Sequence, residues 1–218
     1  RSYSQMLADR ISEILNLTGQ SLKSLVKLAI QSRRPSITAG ERKGKRLLIL
    51  GNGPSLADNL ANDMDILLSE DTLAVNFAAN TPEFLALKPK FYLLMDPHFF
   101  LNPPTDPNVT ALFRNLNEKV NWDMTLYLPV KYSAASTGIN NPHIHIENFN
   151  TVGVDGFSCI KNMAFDTGRG LPRPRNVLIP AIMTGIWAGY KEIILLGADH
   201  SWLRTLEVND ENLVVSIQ

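Results

Sequence analysis

A single cysteine, Cys159, in 218 residues leaves no internal disulfide framework and no cysteine-rich zinc site. No apolar run approaches the ~18 residues that a membrane span needs. Charge of one sign is missing as well. Lys+Arg and Asp+Glu both total 21, so the formal net charge is zero, whereas a general nucleic-acid binder carries a basic excess. Internal repeats and low-complexity segments are absent. No signal-peptide pattern follows Arg1, which stands where an intact chain would have Met. The expectation is a trimmed cytoplasmic protein, truncated at its C-terminus and able to sit peripherally at the inner membrane face. What is present is 44% hydrophobic residues, enough for one large domain with a real core, or one domain plus an appendage.

Between Tyr3 and Ser32 the apolar residues Leu7, Ile11, Ile14, Leu22, Leu25 and Ala29 recur at helical steps. Gly19 is a candidate break between two helices. This arm, residues 1–34, either packs on the main domain or carries a contact of its own. That contact is homo-oligomerisation or a peripheral membrane touch, although its polar face mixes both signs. Residues 35–45 are a basic linker by composition, read as a solvated tether.

From Arg46 onward the pattern changes. Apolar segments at Arg46–Gly51, Thr72–Asn76, Phe91–Met95, Thr125–Leu128, His143–Ile146 and Glu192–Gly197 read as buried strands. Helical candidates at Ser55–Leu68, Pro82–Leu87, Pro107–Val120, Phe157–Phe165 and Val177–Ala188 alternate with them. Such alternation predicts an α/β, Rossmann-like domain over residues 46–218, with a mostly parallel sheet covered by helices on both faces. Right-handed crossovers then gather every strand's C-terminal end on one edge, where such sheets bind ligands.

Most of the chemistry-bearing residues fall on that edge. Leu48–Leu60 reads LILGNGPSLADNL, a strand, a glycine turn and a helix start. Gly51 and Gly53 permit a tight turn and close approach of a ligand. Ser55, with Asp58 three residues on, fits a capping box, and the helix N-terminus offers N–H groups to a phosphate. Asn52 and Pro54 complete the loop. It is no Walker loop, because no Lys-Ser/Thr follows, and the third glycine of the dinucleotide fingerprint is missing. Asn76 ends the second strand, either as a turn residue or as a reader of base or ribose. Asp96 ends the third and precedes Pro97, as a turn starter or as a ligand for Mg²⁺ or a sugar hydroxyl. Asp199 and His200 end the last strand and suit general-base work. Arg169, Arg173 and Arg175 lie in a Gly/Pro-rich loop ahead of a helix and either clamp an anion or wave in solvent. His143 and His145 face one side of a strand, better as a polar outer face than as a metal pair. Cys159, in an apolar stretch, reads as core rather than nucleophile.

Two blocks, LILGNGPSL and GYKEIILLGAD, resemble bacterial lipooligosaccharide sialyltransferases. The same outline is shared with archaeal 6-hydroxymethylpterin diphosphokinase (MptE-like) proteins and motility accessory factors. The resemblance spans residues 46–202 and implies a Rossmann-like nucleotide fold. Its sialyltransferase side implies a CMP-activated donor sugar and a glycan acceptor, with Asn52, Gly53 and Ser55 lining nucleotide and phosphate and Asn76 beside them. Asp96 stands where those enzymes carry Asn, and their Thr-Ser-Gly segment is replaced by Arg175-Asn176-Val177-Leu178. Their catalytic histidine lies downstream of the second block, so His200 stands in on geometry alone. The function expected is a glycosyltransferase of surface-polysaccharide or glycoconjugate synthesis that needs no cofactor. The diphosphokinase side implies instead ATP with Mg²⁺ on Asp96 and Asp199. A non-catalytic nucleotide-binding module is a third expectation.

Overall fold

The computed structural model describes residues 3–40 and 45–199, together with the backbone of residues 206–208 and 214–216. Six parallel strands form one sheet: β1 (Leu47–Leu50), β2 (Asp71–Val75), β3 (Phe91–Leu93), β4 (Met124–Pro129), β5 (Ile144–Phe149) and β6 (Ile193–Leu196). Their spatial order is β5-β4-β3-β2-β1-β6. The chain therefore walks outward from β1 to β5 and then returns to the other side of β1. The order reverses between β1 and β6, the kind of place where open α/β sheets hold ligands. A separate antiparallel pair, β7 (Leu206–Val208) and β8 (Val214–Ser216), follows.

Because successive strand residues face opposite ways, each strand feeds two cores. Leu48 and Leu50 join Leu67 and Leu87 beneath α2 (Ser55–Asn62), α3 (Met64–Ser69) and α4 (Pro82–Leu87). Tyr92, Leu126 and Leu128 continue that layer beneath α5 (Pro107–Lys119), whose Val109, Leu112 and Leu116 are fully enclosed. On the other face Leu47, Ile49, Leu73, Val75 and Leu93 pack against Ala181 and Ala188, on and just past α8 (Leu178–Trp187). A short turn of helix, α6 (Ala134–Thr137), leads to β5, and α7 (Ser158–Asp166) precedes α8. Apolar strands buried on both faces need such a double cover. The predicted strands and helices are all present, with ends shifted by a few residues. One helix is divided: Ser55–Leu68 breaks at Asp63, which leaves the helical region (φ −120°) and accepts a bond from Asn59 Nδ2 at 3.1 Å. Aspartate at such a joint accepts from a neighbouring side chain more readily than it continues a helix.

The N-terminal arm is one continuous helix, α1 (Tyr3–Gln31), and Gly19 does not split it. Nor does α1 dock through the leucine–isoleucine stripe. Its buried residues are Ser21, Ser24 and Leu28. Ser24 Oγ donates to the Asp155 carbonyl at 2.9 Å and accepts from the Asp155 N–H at 3.0 Å. Ser21 Oγ accepts from the Phe157 N–H at 2.9 Å, and Lys27 Nζ donates to the Gly153 carbonyl at 2.9 Å. Gly156 sits at φ +107° with Ser21 directly against it, so a side chain there meets both strain and a collision. Serines thus let the helix lie close on an irregular backbone whose polar groups would otherwise be stranded.

The segment after α1 is not a free tether over residues 33–40. Ser36 N–H donates to the Asn148 carbonyl at 3.1 Å, and Asn148 N–H donates to Ser36 Oγ at 2.7 Å. Thr38 N–H reaches Glu147 Oε2 at 3.0 Å. This stretch runs along the outer edge of β5, and Gly40 N–H then bonds the Ala188 carbonyl at the end of α8, at 3.2 Å. His143, just before β5, and His145 within it are exposed beside this outer edge, as a polar outer face requires. Cys159, expected in the core, is exposed on α7. Its helix buries Ala164 instead, and the apolar neighbours that suggested burial lie on other sides of the turn. Among the described residues no helix is long and apolar enough to cross a membrane.

Candidate active site

The glycine loop leaves β1 at the point where the strand order reverses, and the loop after β6 lies directly on it. Gly51 N–H donates to the Leu196 carbonyl and Gly53 N–H to the Gly197 carbonyl, both at 2.8 Å. The Ser55 N–H, in the first turn of α2, donates to Asp199 Oδ2 at 2.8 Å. A Cβ on Gly51 would stand 2.5 Å from the Gly197 carbonyl oxygen, and one on Gly53 would strike the Asp199 carboxylate and the Gly197 carbonyl. The glycines therefore do permit a close approach, but the approaching group is this chain's own β6 loop.

Ser55 is not the cap of α2 that the Ser55–Asp58 spacing suggests. Pro54 takes the cap position with no side-chain cap bond, and the carboxylate that meets the helix N-terminus comes from Asp199, far along the chain. An anion at a helix N-terminus is favoured by the exposed N–H groups and the helix dipole. Asp199 supplies one already. His200 lies outside the described residues.

Asn76 follows β2 in the left-handed region (φ +53°) and its carbonyl accepts from the Tyr92 hydroxyl at 2.6 Å. Tyr92 also accepts from the Ala79 N–H at 3.0 Å, and burial pushes its hydroxyl pKa up. Asparagine tolerates this backbone better than most residues, so the turn role of Asn76 is met. Asp96 is exposed and accepts from the His98 N–H at 2.9 Å, capping the 3₁₀ turn Pro97–Phe100. The turn role expected of an Asp-Pro pair is met here too. In the order β3-β2-β1-β6 the strands that lead into the Asp96 and Asp199 loops are three strand spacings apart, roughly 14 Å. No cluster of metal-binding side chains occurs among the described residues.

Sequence reasoning missed the partner of His98. Its Nε2 lies 3.1 Å from Asp106 Oδ2, and Asp106 caps α5 through the Asn108 N–H. The His98 bond, ahead of the Asn108 N–H, holds the Asp106 carboxyl below the usual range. An imidazole–carboxylate pair thus stands just beyond β3, and the spacing from His98 to Asp106, across a proline-rich loop, gave no periodic signal.

The arginine loop lies elsewhere. Arg173 pairs with Asp155 at 2.7 Å and lines a cavity of about 260 Å³ with Lys23, Lys27 and Gly153, against α1. Arg169 and Arg175 are exposed. A larger cavity, about 720 Å³, opens beside the glycine loop. Gly51–Pro54 form one wall, Leu56, Leu60 and Met64 of the overlying helices another, and Phe77, Ala78 and Phe84 the third. Of the predicted phosphate and nucleotide residues, the structure gathers Gly51, Asn52, Gly53 and Pro54 on this cavity, with Ser55 and Asp199 at its loop. Asn76 and Asp96 are set in their own turns, and Arg169, Arg173 and Arg175 are not among the cavity's lining.

No family model and no curated protein matches the chain. Among solved structures the chain is similar to the MAf glycosyltransferase from Magnetospirillum magneticum AMB-1, with a TM-score of 0.51 at 13% sequence identity. The alignment covers 93% of this chain and 32% of that one. The chain thus shares an α/β fold with that protein and spans about a third of its length.

Proposed function

We propose that this chain is the donor-binding domain of a glycosyltransferase that uses a nucleotide-activated sugar, with a CMP-linked donor as the first candidate. The observation that carries the reading is the cavity of about 720 Å³ opening at the glycine loop. Its size falls within the range of small-molecule sites, about 300–1,000 Å³. Its walls are mainly aliphatic and aromatic, suited to a base and ribose, while Asn52, Thr81 and Glu83 supply polar groups at its rim. The fold it shares with a glycosyltransferase supports the same choice.

In this reading the donor phosphate and Asp199 compete for one helix end. Two anions do not share the Ser55 N–H without a large repulsive cost, so phosphate binding moves Asp199 off it. The released carboxylate then accepts the proton of the acceptor hydroxyl as that oxygen bonds to the anomeric carbon. The bond from the anomeric carbon to the phosphate oxygen breaks, and its electron pair leaves with the nucleotide, whose charge the α2 N-terminus offsets. His200, the next residue, is a second candidate for the base. A peripheral membrane contact and a glycan acceptor belong to the same proposal.

Calorimetry with CMP, CDP, UDP, GDP and ATP, each with and without Mg²⁺, tests it. The expected result is metal-independent preference for a cytidine nucleotide, lost in Ala61→Phe, which fills the cavity from an exposed position on its wall. ATP binding only with Mg²⁺ would establish the diphosphokinase reading instead. No binding of any nucleotide would overturn the donor site.

A further inference from the structure

Helix α1 carries two faces, and only one is used. Its docking residues Ser21, Ser24 and Leu28 lie about a quarter turn from the row Leu7, Ile11, Ile14, Thr18, Leu22, Leu25 and Ala29, at 3.6 residues per turn. That row is uncovered: Ile14 is 56% exposed and Leu22 64%. Leu15, Val26 and Ile30 widen it on one flank and are also at least half exposed. Asp9, Glu13, Lys23 and Lys27 project from the far side of the helix and Arg10 from the flank that docks, so charges border the row without standing in it. With these side chains about half exposed, the bare apolar surface is on the order of 700 Å². Single monomers rarely leave that much exposed, and a standard interface buries about 800 Å² per partner.

The row has a second property. From Leu7 its steps read four, three, four, four, three, four residues, the same in both directions. Each member is matched by another equally far beyond Thr18: Ile14 by Leu22, Ile11 by Leu25, Leu7 by Ala29. Thr18, at the centre, donates its hydroxyl to the Ile14 carbonyl at 2.7 Å. Its polar group is thereby satisfied within the helix, and its methyl is left for contact.

The geometry points to a second copy of this chain as the occupant. Two α1 helices pair antiparallel about a two-fold axis through Thr18, an isologous contact in which Ile11 of each copy meets Leu25 of the other. The two domains hang from opposite ends of the pair. Each docks on α1 near Ser21–Leu28, so their attachment points stand roughly 20 Å apart along it. The stretch from Tyr3 to Gln20, where Leu17 alone is half-buried and no residue is fully buried, is then covered by the partner's helix. This pairing does not depend on the glycosyltransferase reading.

The test uses the whole chain with Cys159→Ser as background. Sedimentation at tens of micromolar should give twice the 24.2 kDa chain mass. Leu22→Glu should weaken association at least about thirtyfold while leaving the circular dichroism unchanged, because Leu22 is exposed in the single chain. Thr18→Cys should link to itself with a short bismaleimide. Ile11→Cys should link to Leu25→Cys in a mixed sample and fail to link to itself. A monomer at 100 µM by this measure would overturn the pairing, whether it stays free or floats with phosphatidylglycerol vesicles. A dimer in which Ile11→Cys links to itself would overturn the antiparallel register.

Discussion

Replacing Gly51 by alanine separates two explanations of the glycine loop. If the glycine serves a ligand, the unliganded protein should not notice a methyl group. The structure says otherwise. The added carbon would stand 2.5 Å from the Gly197 carbonyl oxygen and 3.0 Å from the Leu196 carbonyl oxygen, both of them backbone atoms where β6 ends and its loop begins. Relieving that overlap by shifting the β6 loop costs about 1–3 kcal/mol, as overpacking does. Weakening the bonds from Gly51 and Gly53 to that loop adds about 0.5–1.5 kcal/mol each. A total near 4 kcal/mol lowers the midpoint of a domain this size by about 8–16 °C. Thermal unfolding by circular dichroism without any nucleotide reads this directly. Gly19→Ala is the control: nothing lies within 4 Å of a Cβ there, and alanine in a helix interior gains about 0.5–1 kcal/mol over glycine. An unchanged midpoint for Gly51→Ala would refute the claim that the β6 loop is what the glycine accommodates.

Three other outcomes follow from the same contacts. Asp199→Asn removes the charge facing the α2 N-terminus and should cost about 1 kcal/mol of stability. In titration the same variant should bind a nucleotide monophosphate at least as tightly as the parent while losing turnover, and weaker binding would argue against competition for Ser55. Ser24→Ala strands the Asp155 N–H and carbonyl and should cost about 1–3 kcal/mol, seen as faster amide exchange along α1. Arg173 holds the Asp155 carboxyl below the ordinary range, chiefly through its hydrogen bond. Stability from this pair is therefore present above the unfolded carboxyl value of about 3.9 and lost as pH falls through the lower folded value. Because the pair is largely exposed, Asp155→Asn should cost no more than about 1 kcal/mol at pH 7. The gap between variant and parent midpoints should narrow as pH falls below about 3.9.

Strands were legible because a segment such as LLIL or FYLL, buried on both faces, has no polar position to confuse its reading. Helix starts were legible where proline or aspartate marks them, as at Pro82 and Pro107. The docking of α1 was not. Its contact face is made of serines whose partners are backbone atoms of residues 153–157, and hydropathy does not register such a face. The apolar row that periodicity did register is the one left uncovered. At the glycine loop the reasoning found the need for close approach, but the sequence does not say which group comes close, and Asp199 is more than a hundred residues away. The arginines misled for a related reason: composition shows a basic loop, while the counter-charge at Asp155 is set by the path of the chain.

The stretch over residues 33–40 has a consequence for how the chain is made. It stands in for a missing neighbour on the outer edge of β5, and an uncovered sheet edge is a template for unwanted pairing between chains. During synthesis from the N-terminus this cover emerges more than a hundred residues before the strand it protects, so β5 never waits for it. A circular permutant opened between Gly40 and Lys45 would reverse that order. Its sheet would be complete on the ribosome while the edge was still bare, and the penalty would appear as aggregation during expression rather than as instability of the finished fold.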